Sequence, residues 1–140
     1  MYQKLLSGKN CLVTGASGGI GKEIAKLLVE NNCNIILTGK TKDKLEKLND
    51  TLKLINQNNV KIDFFPADIS KIEDIKKLIS FVNNLFPSID ILINCAGVFP
   101  ISSLQNASLE DFENCFNLNI KAPFILSKEF TKNMMEKQWG

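Results

Sequence analysis

The chain contains no histidine and no arginine, and all 17 of its basic residues are lysines. It therefore offers no imidazole as a general base or metal ligand, and no guanidinium that could clamp a phosphate through two hydrogen bonds. Tyrosine is almost as scarce, since Tyr2 is the only one. These absences exclude histidine-dependent catalysis within this chain and leave lysine as its only cationic side chain for binding an anion.

The sequence also lacks a long hydrophobic run. The longest apolar stretch, residues 89–98, is interrupted by Asp90 and Asn94 and is far shorter than the roughly 20 residues that span a bilayer. Residues 1–10 contain no apolar core followed by a small-residue cleavage site. The sequence thus predicts no membrane segment, no secretion signal and a cytoplasmic location.

Strong charge of one sign is missing as well. The formal net charge is +2, and the lysines of residues 42–50 alternate with carboxylates, so no basic face for nucleic acid emerges. The four cysteines show neither metal-type nor redox-type spacing, which predicts reduced, buried thiols and no metal site; they are Cys11, Cys33, Cys95 and Cys115. With 44% apolar residues, residues 1–140 are expected to form one globular domain.

Short β-rich runs alternate with amphipathic stretches four times, a pattern typical of βαβ units and a parallel sheet. The predicted strands are residues 10–14, 34–38, 60–66 and 89–94. Helices are predicted to begin near Gly19, Thr41, Ser70 and Ser108, and the last one extends close to Lys137. The first helix is expected to bury Ile20, Ile24, Leu27 and Leu28. Capping boxes are predicted for Ser70 with Glu73 and for Ser108 with Asp111.

Right-handed crossovers between these strands give the strand order 3-2-1-4, with two helices on each face. The sequence therefore predicts an α/β domain with a doubly wound parallel sheet. The winding reverses between strands 1 and 4, and ligands of open parallel sheets bind at such a switch point, beyond the carboxyl ends of the strands.

A glycine-rich segment, residues 14–21, joins the first strand to the first helix. Its glycines lack the Cβ atoms that would block a tight turn and keep a diphosphate away from the backbone. The helix N-terminus adds unpaired N–H groups and the positive end of the dipole. The spacing fits both Gly-x-x-x-Gly-x-Gly and Gly-x-x-Gly-x-x-Gly, and a tight connection without a nucleotide stays open as the alternative.

Four motifs in order resemble the short-chain dehydrogenase/reductase family, over essentially the whole chain. They are the glycine-rich segment, Asp68-Ile69 after the third strand, Asn94-Cys95-Ala96-Gly97 after the fourth, and Asn119 in the following helix. The resemblance implies a Rossmann-type fold of the compact single-domain branch. Among subfamilies, the 3-oxoacyl-(acyl-carrier-protein) reductases look nearest.

By this resemblance, the glycine-rich segment surrounds the adenosine ribose and the diphosphate of a nicotinamide cofactor. Asp68 accepts a hydrogen bond from the adenine amino group, a role that suits a group that only accepts, and the Ile69 N–H serves a ring nitrogen. The alternative for Asp68 is a negative charge at a helix N-terminus beside Ser70, which needs no ligand. The segment's implied binding residues are Thr14, Gly15, Ser17, Gly18, Gly19, Ile20 and Gly21.

The residues after the fourth strand are implied to lie under the nicotinamide, where Ala96 and Gly97 are small enough for close approach. Family members commonly carry a second asparagine where this chain has Cys95, so a cofactor contact at that position is expected from the backbone. The alternative for Asn94 to Gly97 is a strand-end turn that needs a glycine.

The end of the second strand predicts which cofactor is preferred. NAD enzymes place an acidic residue there to hold the ribose 2′-OH, whereas this chain has Gly39 followed by Lys40. The missing carboxylate and the adjacent ammonium favour NADP(H) over NAD(H). The alternative is that Lys40 is a solvated loop lysine.

Asn119 stands four residues before Pro123, which has no N–H to return to the Asn119 carbonyl. By resemblance, Asn119 is the catalytic asparagine, whose main chain holds a water of a proton relay at a local helix distortion. The alternative is a kink that merely fits the helix to the sheet.

The family's catalytic serine and its Tyr-x-x-x-Lys pair have no counterpart in these residues. We therefore expect the chain to be the N-terminal, cofactor-binding part of an NADP-dependent oxidoreductase, with its fourth strand at a sheet edge. By resemblance, the substrate is a small-molecule or acyl-carrier-bound carbonyl, and the protein is a tetramer that uses the helix from Ser108 to Lys137. A non-catalytic dinucleotide-binding or regulatory module is the alternative.

Overall fold

A computed structural model describes residues 5–140 of the chain; Tyr2 lies outside these residues. Its four strands form one parallel sheet in the order β3-β2-β1-β4, as predicted. Thr14 at the end of β1 is in register with Asn94 at the end of β4. The strands are β1 (Asn10–Thr14), β2 (Asn34–Gly39), β3 (Ile62–Pro66) and β4 (Ile91–Asn94).

The strand β4 is shorter than predicted because its entrance is paired differently. The Asp90 N–H donates to the Asn10 carbonyl at 2.8 Å, while the Asp90 carboxylate accepts the Asn10 N–H at 3.0 Å. The Asp90 side chain thus accepts a hydrogen bond that a backbone carbonyl would accept in a regular strand. Within the described residues β4 pairs with β1 alone, which makes it an edge strand, as expected.

Helices cover both faces of the sheet. They are α1 (Gly19–Glu30), α2 (Lys42–Ile55), α3 (Ile72–Leu85), α4 (Leu109–Phe116) and α5 (Ala122–Lys137). Because successive strand residues point to opposite faces, Leu12 and Val13 belong to different cores. Val13 packs in the core under α1 and α2, and Leu12 packs in the core under α3 and α5.

The buried face of α1 differs from the prediction. Ile20 and Leu27 are 74% and 58% exposed, and the buried residues are Gly21, Ala25, Leu28 and Val29. Small residues face the sheet because α1 starts in close contact with the preceding turn. The predicted stripe is therefore wrong at two of its four positions.

Of the two predicted capping boxes, the structure confirms the N-cap of one. Ser108 caps α4, since its Oγ accepts the Asp111 N–H at 3.0 Å. The prediction for Ser70 is wrong: α3 begins at Ile72, after Lys71, without a side-chain cap. The Ser70 hydroxyl instead donates to Asp68 Oδ1 at 2.6 Å, because that carboxylate is the stronger acceptor nearby.

The last helix is not continuous as predicted. A π-helical segment, Asn117–Lys121, separates α4 from α5, and the Ala122 N–H reaches back five residues to the Asn117 carbonyl. Pro123 explains the interruption, because it has no N–H for the ordinary bond to residue 119.

Two of the four thiols are fully buried, those of Cys11 and Cys33, and Cys95 and Cys115 are half-buried. All four are free. The neighbouring Cys33 thiol and burial raise the pKa of Cys11, which keeps it protonated and unreactive. Among residues 5–140, no helix has the length and apolarity to cross a membrane, and His, Cys, Asp and Glu form no cluster of three that could hold a metal ion.

Candidate functional site

An open cleft of about 320 Å³ lies at the carboxyl ends of the strands. It sits where the winding direction reverses, at the predicted switch point between β1 and β4. Eight of the predicted site residues line it: Gly15, Ser17, Gly18, Lys40, Asp68, Ile69, Ala96 and Gly97. The other predicted residues lie outside the lining: Thr14, Gly19, Ile20, Gly21, Asn94, Cys95 and Asn119.

The glycine-rich turn is shaped by its contact with the loop after β4. Gly15 has a φ of +61°, and a Cβ there would lie 2.7 Å from the backbone of Ala96. A Cβ on Gly21 would collide with the Gly15 carbonyl oxygen and lie 2.9 Å from Ala16 Cα. These two glycines are required by the fold itself, whether or not a ligand binds.

Gly19 differs from its neighbours. A Cβ on it would meet no atom within 4 Å, and its φ is an ordinary one. Gly18, the N-cap of α1, has no side chain to cap the helix, and the first turn of α1 contains no acidic residue. The positive end of this helix is therefore not neutralised by its own sequence, and the surface at Gly19 is open to close approach from outside.

Thr14 ties the two halves of the site together. Its hydroxyl donates to the Ile93 carbonyl at 3.3 Å and accepts the N–H groups of Cys95 and Ala96 at 3.1 Å each. The residue is 1% exposed. It therefore positions the turn after β4 and does not itself face the cleft.

Asp68 and Lys40 meet across the cleft. Lys40 Nζ lies 3.1 Å from Asp68 Oδ2, and Ser70 occupies Oδ1 with its hydroxyl and its N–H. Burial raises the pKa of Asp68, but the hydrogen bonds from Ser70 and Lys40 outweigh it and hold the pKa below its usual value. Asp68 is thus ionised, and Lys40, although its side chain is 78% exposed, is paired.

The Asn119 side chain is hydrogen-bonded to the loop after β4. Its Oδ1 accepts the Val98 N–H at 2.9 Å and its Nδ2 donates to the Val98 carbonyl at 2.7 Å. Val98 lines the cleft, whereas Asn119 does not. The Asn119 carbonyl lies in the π-helical segment, where Pro123 cannot supply the usual donor.

The side chains of Asn94 and Cys95 do not line the cleft. The Asn94 amide is exposed and donates to Ser127 Oγ on α5 at 3.5 Å. Cys95 contacts the site through its N–H, which is already directed to Thr14. The substitution of the family's second asparagine by cysteine therefore leaves the backbone arrangement of the turn in place.

Several lining residues were missed by sequence reasoning. Lys44, in the first turn of α2, is the most notable, because it adds a second cation to the cleft. Its position five residues after the end of β2 could have predicted this, because the first turn of a helix that follows a strand lies at the carboxyl edge of the sheet. The others are Thr38, Thr41, Ala67, Val98, Asn114 and Leu118.

Comparison with known proteins identifies the family of this chain. The family model described as short chain dehydrogenase matches residues 9–140. The 3-oxoacyl-(acyl-carrier-protein) reductase of Rickettsia typhi is 37% identical over 134 residues, 96% of this chain and 52% of that protein. An uncharacterized oxidoreductase of Staphylococcus aureus (strain MRSA252) is 33% identical over 136 residues, 97% of this chain and 57% of that protein.

Solved structures agree with these relatives. A metagenomic short-chain oxidoreductase in complex with NADP has a TM-score of 0.88 and 27% identity, covering 96% of this chain and 60% of that one. L-sorbose reductase from Gluconobacter frateurii, complexed with NADPH and L-sorbose, also has a TM-score of 0.88, with 26% identity, covering 94% of this chain and 49% of that one.

The fold is that of a Rossmann-type domain, and its structural neighbours are short-chain dehydrogenases/reductases, a family that binds nicotinamide cofactors. The chain belongs to the short-chain dehydrogenase/reductase family, as its motifs indicated. It spans about half the length of the curated relatives that it matches, and it matches their N-terminal portion.

Proposed function

We propose that this chain is the NADP(H)-binding part of an oxidoreductase that interconverts a carbonyl and a secondary alcohol. The observation that supports this most is the convergence of three features on one cleft: the uncapped glycine-rich turn, the Lys40–Asp68 pair and the turn at Ala96 and Gly97. A nicotinamide dinucleotide has three matching parts, a diphosphate, an adenosine and a nicotinamide. When bound, it supplies the hydride.

The dinucleotide is proposed to lie along the carboxyl edge of the sheet. Gly19 and Ile20, at the open start of α1, approach the diphosphate through N–H groups, as the absence of any atom near a Gly19 Cβ allows. Asp68 and Ile69 receive the adenine, and the nicotinamide lies over Ala96 and Gly97. Thr14 contributes by holding that last turn in place.

The choice of NADP(H) over NAD(H) rests on the end of β2. Gly39 offers no carboxylate to a ribose 2′-OH, and Lys40 follows it. The Lys40–Asp68 ion pair is exposed on the lysine side, and such pairs contribute only about 0.2–1 kcal/mol. A 2′-phosphate can therefore share Lys40 with Asp68 at small cost.

Asn119 is proposed to act in proton transfer through its main chain. Its side chain is fully used in holding Val98, whereas its carbonyl lacks the donor that Pro123 cannot provide. We propose that this carbonyl holds a water of a proton relay. The serine and the Tyr-x-x-x-Lys pair of the family are expected beyond the matched portion.

Substrate, assembly and location are proposed on the family and the surface. The relatives favour a small-molecule or acyl-carrier-bound carbonyl as substrate, and a cytoplasmic location stays the sequence-based expectation. A homo-oligomer, with a tetramer as the expected form, is supported by the exposed apolar residues of α4, where nothing is buried; they are Leu109, Phe112 and Phe116.

The assignment is tested by titrating the chain with NADPH and with NADH while following nicotinamide fluorescence. We expect NADPH to bind at least tenfold more tightly than NADH, and Lys40→Ala to weaken NADPH binding several-fold more than NADH binding, because a charge-assisted hydrogen bond to phosphate is lost. Lys42→Ala is the matched control, since Lys42 pairs with Glu46 and does not line the cleft. Equal affinities for both cofactors, unchanged in Lys40→Ala, contradict the assignment.

A further inference from the structure

A second cavity of about 190 Å³ adjoins the cleft, between the start of α1 and the first three turns of α2. Three lysines contribute to its lining, and we call it the three-lysine pocket; the lining residues are Ser17, Lys22, Lys44, Lys47, Leu48 and Thr51. Ser17 and Lys44 line both this pocket and the cleft. The pocket is therefore an extension of the cofactor cleft beyond the glycine-rich turn.

The charge of the three-lysine pocket is unbalanced. Across residues 5–140, seven lysines form ion pairs within 4 Å of a carboxylate, and Lys22, Lys44 and Lys47 are among the nine that form none. Lys44 also lies in the first turn of α2, where a cation opposes the helix dipole. Three lysines without an ion-paired carboxylate line one small cavity, and an anion bound there compensates their charge.

The position of the pocket matches one part of NADP(H). Ser17 Oγ lies next to Gly39, at 3.3 Å from where a Cβ of residue 39 would be. Gly39 stands where an NAD enzyme would hold the ribose 2′-OH. A group attached to the 2′-oxygen therefore points past Ser17 toward Lys44.

We propose that Lys44 determines the preference for NADP(H), by holding the 2′-phosphate at the mouth of the three-lysine pocket with Ser17 and Lys22. This inference rests on the proposed cofactor function and adds the residue that sets its specificity. Lys40 contributes less to the preference, since it already pairs with ionised Asp68. Lys44 has no competing carboxylate within 4 Å among the residues that the structure describes.

The test compares Lys44→Ala, Lys44→Arg and the control Lys42→Ala by titration with NADPH and NADH at one low ionic strength. We expect Lys44→Ala to raise the Kd for NADPH about tenfold and the Kd for NADH less than twofold. Lys44→Arg restores NADPH binding to within about threefold, because the charge is kept. Adenosine 2′,5′-bisphosphate against ADP serves as a second probe, and Lys44→Ala removes the preference for the former.

The outcomes separate this inference from the proposed function. If the parent chain prefers NADPH and Lys44→Ala leaves both Kd values unchanged, the role of Lys44 is wrong while NADP(H) binding stands. If the parent binds neither cofactor, or binds NADH as tightly as NADPH, the proposed function fails and this inference fails with it. Thermal unfolding of each variant is expected to match the parent, since Lys44 is exposed.

Discussion

At the scale of single residues, Thr14 contributes most to the site without touching a ligand. Its buried hydroxyl satisfies one carbonyl and two N–H groups of the turn after β4. The contact works only because Gly15, the next residue, lacks a Cβ that would collide with Ala96. One threonine and one glycine thus bring the predicted diphosphate and nicotinamide regions into register.

Replacing Thr14 by valine tests this role. Thr14→Val keeps the shape but leaves the Ala96 N–H without its acceptor and the Cys95 N–H with the Ile93 carbonyl alone, which costs about 0.5–1.5 kcal/mol of unfolding free energy. Thr14→Ser retains the hydroxyl and is the control. Urea unfolding measures the difference, and equal stability of the valine and serine variants contradicts the account.

At the scale of elements, the C-terminal end of α5 contacts the residues that precede β4. Lys137 Nζ lies 3.0 Å from Asp90 Oδ1 and also contacts the Ser88 hydroxyl. The second carboxylate oxygen of Asp90 accepts the Asn10 N–H. Burial raises the pKa of Asp90, but the Asn10 N–H and Lys137 outweigh it and hold the pKa below its usual value.

This contact predicts a pH-dependent contribution to stability. Because the folded-state pKa of Asp90 lies below its unfolded value of about 3.9, the contribution is complete above that value and is lost as the pH falls through the folded pKa. At pH 7, Asp90→Asn is expected to lower the unfolding free energy by about 1–3 kcal/mol.

The control for this variant is Asp50→Asn, at an exposed position on α2. Urea unfolding at several pH values should show the gap between parent and Asp90→Asn narrowing below pH 4, while Asp50→Asn follows the parent throughout. A gap that stays constant down to the acid limit argues against an ionised Asp90 in the fold.

At the scale of the whole molecule, the sheet order and the place of the cleft were predictable from the sequence. Apolar alternation located the strands, and the glycines at 15 and 21 marked the turn because the backbone there admits no side chain. Contacts between side chains distant in sequence were not predictable. The hydrogen bonds of Thr14 to residues 95 and 96, and of Asn119 to Val98, join segments whose spacing in the chain carries no signal.

Local competition explains the remaining errors. The Ser70 pattern matched a capping box, but Asp68 two residues earlier took the hydroxyl. Lys44 belongs to a run in which lysines alternate with carboxylates, and only the folded chain brings it beside Ser17. A sequence pattern thus indicates which groups are present, whereas the fold decides which neighbour each group meets.

The central claim is that the cleft at the carboxyl edge of the sheet binds NADP(H). It is tested most directly by following the backbone NMR signals of the isotope-labelled chain during addition of NADPH. The account predicts saturable shifts at Gly15 to Gly21, Lys40, Lys44, Asp68 and Gly97, with the signals of the sheet entrance near Asp90 unchanged. Shifts confined to other surfaces, or none at saturating NADPH, contradict it.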